Sequence, residues 1–419
     1  MLPAAVFASL ALALVPGFAG CGLIGDTREG ETIPPASSET ATDLGLGPGV
    51  RPLSFGPGDK GSPRVSPSRE KIAFVLDGYV AEKPLYAQVS LPRTASDFGA
   101  GHAEWLTDEG IAILTRQDEA GDGGARTPPA PSSLFDVRPD SSSLDDSSDV
   151  ARSIENVTAV GGVPDGGAVA AVAVAPESIG EPTSSRLVLL RGSKKPASVY
   201  LRSIKGSVTG LSISPDGRRA VMAVRRDAGS NEGRFEVQTY EFSEGRASRV
   251  ARLPEGTEIL GAPQWTRRGV HFLAGEASYS AADDRNPADY DLYRVPAGSS
   301  TLEQVRGIGE GFVAASIRVS PDGQRLAVVG RRNPGSPTNL YVLDLASDTL
   351  EAATANENME VKTNPFDLTW SPDGDYVILV ARGALSGPEV YDAAAQTLSS
   401  AFYNLYEVPV TDLPMEVES

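Results

Sequence analysis

A chain of 419 residues with 37 basic and 55 acidic side chains, a formal charge of -18 at pH 7, has room for two or three ordinary domains or one large closed repeat. So acidic a surface repels phosphate backbones, and no lysine- and arginine-rich run interleaved with aromatics offsets it, which argues against a nucleic-acid partner. The single cysteine excludes a disulfide framework within one chain and any cysteine-based metal site.

That cysteine, Cys21, closes "MLPAAVFASLALALVPGFAGC", an uncharged apolar run ending in small residues, the build of a secretory signal with its cleavage site. Phe18-Ala19-Gly20-Cys21 resembles the lipobox of bacterial lipoproteins, in which the cysteine receives a diacylglycerol. Phe18 stands where leucine is usual, and no lysine or arginine precedes the apolar run. An uncleaved membrane anchor over residues 2 to 24 and a plain secretory signal remain alternatives. All three place the remaining chain outside the cytoplasm. The segment from Gly22 to about residue 58, rich in Gly, Pro, Ser and Thr, shows neither a strand nor a helix period and reads as a flexible tether. Gly45-Leu46-Gly47-Pro48-Gly49 within it has no strand before it or helix after it and is no phosphate loop.

A repeat follows. Ser-Pro-Asp-Gly occurs as Ser214 to Gly217, Ser320 to Gly323 and Ser371 to Gly374. Proline fixes one φ and glycine supplies a positive one, so the chain reverses there. Asp216, Gly217, Asp322, Gly323, Asp373 and Gly374 are thus expected to be structural. Aligning on the turn adds Arg69, Gly110, Gly166 and Gly269, with successive intervals of 41, 56, 51, 52, 54 and 51 residues. A period near 50 signals propellers or solenoids. All three tryptophans, Trp105, Trp265 and Trp370, lie four or five residues before a turn glycine.

Each turn leads into a short apolar run, such as "KIAFVL", "AVMAV" or "YVILVA", too short and too β-branched for a helix and suited to a buried strand. A third strand carries an apolar-aromatic pair, as in "PLYAQV", "SLFDV", "DLYRV", "NLYVL" and "NLYEV". A more polar fourth follows in most units, for example "SRVARL" and "TLEQV". Four antiparallel strands per unit of about 50 residues describe an all-β chain, a β-propeller with seven blades. Six or eight blades also fit. In the last unit either Val390-Tyr391 or Leu405-Tyr406 heads the third strand. If the latter, "EVYDAAAQTLSSAF" reads as a helical insertion, and "RPLSFGP" near residue 51 could supply the missing outer strand.

The pattern of an apolar position, Ser-Pro-Asp-Gly, an apolar strand and Leu-Tyr-x-Val resembles the PD40, or WD40-like, repeat of TolB-like propellers over about residues 59 to 410. It leaves no room for the α/β domain that accompanies the propeller of TolB itself. The expected layout is a signal peptide over 1–20, a lipidated Cys21 with its linker over 21–58, and the propeller over 59–419.

Chemistry is sparse. Of two histidines, His102 sits at a strand entry and His271 inside "VHFLAG". Two cannot build a multi-histidine metal centre, although one histidine with carboxylates stays open. A Gly-x-Ser-x-Gly nucleophile elbow is absent, and neither histidine has the context of a serine triad. Asp118, Glu119, Asp122, Asp145, Asp146 and Asp149 lie in acidic insertions whose spacing matches no calcium loop, so solvated loops are the better reading. No catalytic, cofactor or metal residue is expected. The resemblance implies a non-catalytic binding module of the cell envelope, tethered to a membrane through its lipid and contacting an envelope protein. Modulation of an envelope sensor is a variant of this. The competing class is a propeller-based hydrolase or lyase.

Overall fold

The computed structural model describes residues 49–54, 57–87, 91–92, 99–115, 132–137, 150–163, 168–174, 184–191, 198–226, 234–276, 290–305, 311–333, 335–356, 359–383 and 402–411. All of them belong to one compact unit, Ser38–Ser419. Cys21, the whole apolar run before it, the acidic insertions over 116–131 and 138–149 and most of "EVYDAAAQTLSSAF" lie outside the described residues.

Apart from one 3-10 turn at Pro365–Asp367, the regular structure of the described residues is all strand, arranged in antiparallel sheets. After β1 (Arg51–Pro52), the first sheet holds β2 (Lys60–Val65), β3 (Lys71–Leu76), β4 (Tyr79–Pro84) and β5 (Leu91–Pro92). A seven-stranded sheet follows: β6 (Ala100–Trp105), β7 (Ile111–Thr115), β8 (Ser132–Val137), β9 (Val150–Gly162), β10 (Ala168–Val174), β11 (Ser184–Arg191) and β12 (Ser198–Lys205). The next holds β13 (Ser207–Ile213), β14 (Arg219–Arg226), β15 (Arg234–Glu241) and β16 (Arg246–Arg252). Then come β17 (Thr257–Thr266), β18 (Gly269–Glu276), β19 (Asp291–Pro296) and β20 (Glu303–Gln304). A further sheet joins β21 (Val313–Val319), β22 (Arg325–Arg331), β23 (Asn339–Asp344) and β24 (Thr349–Ala352). The last contains β25 (Glu360–Val361), β26 (Leu368–Trp370), β27 (Tyr376–Arg382) and β28 (Asn404–Pro409), and β1 is its outermost strand.

Leu405-Tyr406 therefore heads the third strand of the last unit, and "RPLSFGP" supplies the fourth. Arg51 pairs with Glu407, Pro52 with Tyr406, and the Leu53 amide donates to the Leu405 carbonyl at 2.8 Å. The long β9 serves two units. Ile154 pairs back to Leu134 of β8, while Gly162, Gly161 and Val160 pair forward to β10. "VARSIENVTAVGG" carries no glycine or proline before its closing Gly161-Gly162 to divide it.

The first unit departs from expectation. "PLYAQV" is not its third strand. β4 starts at Tyr79, because Asp77-Gly78 closes a two-residue hairpin with φ of 47° and 87°, pairing Leu76 directly with Tyr79. Positive φ at both positions is what such a turn requires.

The second strands explain their unbroken apolar runs. In β27, Val377, Leu379 and Ala381 pack toward the preceding sheet, while Ile378 and Val380 pack toward the first. In β22, Leu326 and Val328 face one neighbour, Ala327 and Val329 the other. Alternate residues of a strand point to opposite faces, and here a sheet covers each. Apolar clusters lie between successive sheets, and also between the two halves of the seven-stranded one. Each fully buried Leu, Ile or Phe contributes about 1.5–3 kcal/mol.

At the Ser-Pro-Asp-Gly turns the chemistry repeats atom for atom. Gly217, Gly323 and Gly374 have φ of 66°, 71° and 78°. In each, the Ser hydroxyl donates to the Asp carboxylate, at 2.5 Å from Ser214, 2.6 Å from Ser320 and 2.5 Å from Ser371. That carboxylate also accepts the amide two residues on. Ser66 to Arg69 follows the same path with Ser68 in the Asp place and Arg69 at φ 66° in the Gly place.

A buried polar cluster between the first strands

The first strand of each unit runs beside that of the next: β2 beside β6, β9 beside β13, β13 beside β17, β17 beside β21, and β26 against both β21 and β2. One position on these strands is polar in unit after unit. It lies five residues before the turn in Arg64, Ser212, Gln264, Arg318 and Thr369, and six before it in Glu104. Of these, Arg64, Glu104, Ser212, Gln264 and Thr369 are buried. Buried polar groups require partners, and Arg64, Glu104, Ser212 and Gln264 find at least one in a neighbouring unit. Ser212 donates to the Pro263 carbonyl. Gln264 accepts the Val319 amide at 3.2 Å and donates to the Ala262 carbonyl at 3.0 Å. Two tryptophans reinforce this: Trp105 donates its indole N–H to the Arg64 carbonyl at 2.8 Å, and Trp370 to that of Arg318 at 2.9 Å. Trp105 and Trp370 are core residues, whereas Trp265 is half-buried with the Arg219 guanidinium 4.2 Å above its ring.

Charge concentrates at units one, two and six. Arg64 Nε donates to Glu104 Oε1 at 2.8 Å, and Arg318 Nη2 lies 3.6 Å from the same oxygen. His102 Nε2 donates to Glu104 Oε1 at 2.9 Å, which leaves Nδ1 to accept the Ser62 hydroxyl at 2.5 Å. Phe366 packs over the imidazole, ring centroids 4.1 Å apart. Arg64 also donates to the Phe366 carbonyl at 3.0 Å. Ser62 sits at φ 50° in the bulge of β2, its amide donating to Asp367 Oδ1 at 2.7 Å.

Burial, and next the Arg64 charge, hold His102 down at about 4, so the imidazole is neutral at physiological pH. Burial works to raise the Glu104 carboxyl, but Arg64, the His102 hydrogen bond and Arg318 outweigh it and keep it well below the ordinary carboxylate range. Burial also brings Arg318 down to about 10, with Arg64 adding to the effect. The result is an ionised carboxylate shared by two guanidiniums, and a Ser–His–Glu chain of hydrogen bonds. Such a chain can draw a proton from a serine hydroxyl. Here the serine is 2% exposed, and its own amide, the natural donor to an oxyanion, is held by Asp367.

Neither Ser62 nor Glu104 stands out in the sequence, and His102 there lacks context. The signal that finds Glu104 and both arginines is the turn frame itself, read five or six residues upstream. His271 lies elsewhere, fully buried in β18 with Nδ1 3.2 Å from the Thr266 hydroxyl. Asp216, Asp322 and Asp373 stay at their turns, apart from this cluster. No three His, Cys, Asp or Glu side chains converge to hold a metal ion among the described residues.

The chain matches no family model and no curated protein. Its architecture is nevertheless shared with solved structures. An oligogalacturonate lyase in complex with manganese is 13% identical, covers 87% of this chain and 93% of its own, and gives a TM-score of 0.51. The chain has a β-propeller fold. An oligogalacturonate lyase from Vibrio parahaemolyticus is similar at 11% identity, 87% and 94% coverage and a TM-score of 0.49. TolB from Acinetobacter baumannii is similar at 16% identity, 84% and 79% coverage and a TM-score of 0.40. At such identities the likeness is one of fold, and a propeller hosts binders and enzymes alike.

Proposed function

We propose that this chain is a seven-bladed propeller, its second and third blades joined through β9 and its ring closed by β1, that acts as a non-catalytic interaction module outside the cytoplasm. Lipidation at Cys21 and the linker behind it would tether the module to a membrane, and an envelope protein, a sensor among the candidates, would contact one of its faces. The observation that carries this reading is the cluster between the first strands. Arg64, Glu104, His102 and Ser62 are buried, Arg318 is half-buried, and they bond mainly to one another, an arrangement that stiffens a scaffold. The test is a mild in-cell crosslink of the tagged chain followed by affinity capture and mass spectrometry. One envelope protein recovered in stoichiometric amount, and lost when a propeller face is mutated, supports the reading. Repeated capture without a partner overturns it. Cys21→Ser should release the chain from the membrane fraction while leaving it folded.

The Ser62–His102–Glu104 chain favours a second reading, a hydrolase using Ser62 as nucleophile. A fluorophosphonate probe that labels the native protein, but not Ser62→Ala, would support it. Absence of labelling would leave the cluster a structural one.

A further inference from the structure

On this acidic molecule one carboxylate gathers an excess of positive charge. Glu236 of β15 is 2% exposed in its side chain, and its two oxygens accept five N–H groups. Oε2 accepts Arg226 Nε at 3.0 Å and Gln238 Nε2 at 3.1 Å. Oε1 accepts Arg249 Nη1 at 3.3 Å, Arg252 Nε at 3.3 Å and Arg252 Nη2 at 3.1 Å. Arg226 is held further by its 2.6 Å donation to the Lys205 carbonyl. Three guanidiniums against one carboxylate leave a local charge of +2. The arginine side chains are 32%, 53% and 54% exposed, so part of each fork faces water while the buried carboxylate fixes its direction. Arg249 and Arg252 lie on β16, the last strand of its sheet, and an outer strand presents unpaired backbone groups to an extended segment.

We propose that this patch is a docking site for a short acidic peptide segment of a partner protein, its Asp and Glu carboxylates received by Arg226, Arg249 and Arg252. The inference goes beyond the interaction reading and stands independently of membrane tethering and of catalysis. Guanidiniums held in place by a shared anchor lose less freedom on binding, and planar forks match carboxylates bidentately. The scale of the charge selects the partner. A net charge of -18 repels an extended polyanion such as nucleic acid or an anionic membrane. At physiological salt, screening over about 8 Å lets a short acidic segment feel the patch alone. Neighbouring Arg234 is paired with Glu255 at 3.1 Å, which leaves the three arginines around Glu236 as the centre of the positive spot.

The test is a fluorescein-labelled hexapeptide of alternating Asp and Glu, titrated with the full chain and read by fluorescence anisotropy at low and physiological salt. Saturable binding that weakens with salt is expected. Arg249→Gln with Arg252→Gln should weaken it roughly tenfold or more; because the pair also removes three of the five donors to buried Glu236, the melting temperature should fall, and binding is compared at a temperature where both proteins are fully folded. Glu236→Gln should also weaken it, although it adds positive charge, because the anchor is lost. Absence of saturable binding, or equal binding by the double variant, overturns the site. Tighter binding by Glu236→Gln overturns the anchoring role. A single-stranded DNA 12-mer bound as tightly, and lost equally in the double variant, overturns the assignment to peptide.

Discussion

Arg69 holds a backbone conformation that its three sister turns give to glycine, at φ 66° against 66°, 71° and 78°. For a residue with a Cβ that region costs about 1–2 kcal/mol, while its 3.4 Å contact with Asp373 is exposed and offsets little. Glycine also loses more freedom on folding, which takes back part of the gain. Arg69→Gly should therefore stabilise the protein by about 0.5–1 kcal/mol, visible as a higher midpoint in urea. A lower midpoint would mean that Arg69 does more than turn the chain. His102 sets a pH dependence whose sign follows from its folded value of about 4, below its ordinary 6.5. Above pH 6.5 neither folded nor unfolded chain protonates it. Between 6.5 and about 4 the unfolded chain takes up a proton that the folded one refuses, so stability falls as pH falls. The full loss is on the order of 3 kcal/mol. Glu104, depressed in the same sense, extends the fall below pH 4.5, and His271, held at about 3 by burial and next by Arg294, adds to it. Urea unfolding at pH 7.5, 6 and 5 should give decreasing midpoints, and His102→Gln should flatten part of the slope. A profile independent of pH in that range would contradict a neutral, buried His102.

Strands and turns were legible because their determinants are local. The Ser-Pro-Asp-Gly reversals and the apolar second strands stand where the repeat frame puts them, and so do the third strands "DLYRV", "NLYVL" and "NLYEV". What misled in the first unit was also local: "PLYAQV" imitates the Leu-Tyr pattern of the other third strands, but Asp77-Gly78 turns the chain earlier and takes the third-strand place for Tyr79 onward. The continuity of β9 was hidden for the opposite reason, since only pairing partners distant in sequence reveal that one strand serves two units. The cluster of Ser62, Arg64, His102, Glu104 and Arg318 is built from strands up to about 250 residues apart, and periodicity cannot say which of them meet. Closeness between first strands leads to a prediction. In the bulge of β13, a Cβ on Gly210 would stand 2.2 Å from the Gly261 carbonyl oxygen and 2.9 Å from the Ala262 Cα. Both obstacles are backbone of β17, so a side-chain rotation cannot relieve them. Gly210→Ala should cost about 1–3 kcal/mol and lower the melting temperature, whereas Gly298→Ala, with nothing within 4 Å and φ 77°, should show only the smaller cost of its backbone. Equal effects would mean that the two strands can part.

At the scale of the whole molecule, the pairing of β1 with β28 decides how the units share their stability. Units that contact only their neighbours unfold from exposed ends unless the ends are joined. Here the join is short but well anchored. Val50 and Leu53 are buried, Arg51 binds Glu407 at 2.9 Å with its guanidinium 5.5 and 5.7 Å from the Tyr86 and Tyr376 rings, and buried Lys83 donates to the Leu53 carbonyl. Removing residues 1–54 would bare the edge of β28 and withdraw two buried apolar side chains, about 3–6 kcal/mol in all. The larger consequence is in cooperativity. With the join intact, the last sheet and the first share one apolar cluster, so neither opens alone. Without it, the last unit should melt before the rest, giving a broader calorimetric transition whose van't Hoff enthalpy falls below the calorimetric one. A truncated chain that melts at the same temperature in a single sharp transition would show that side-chain packing holds the first and last sheets together without this strand.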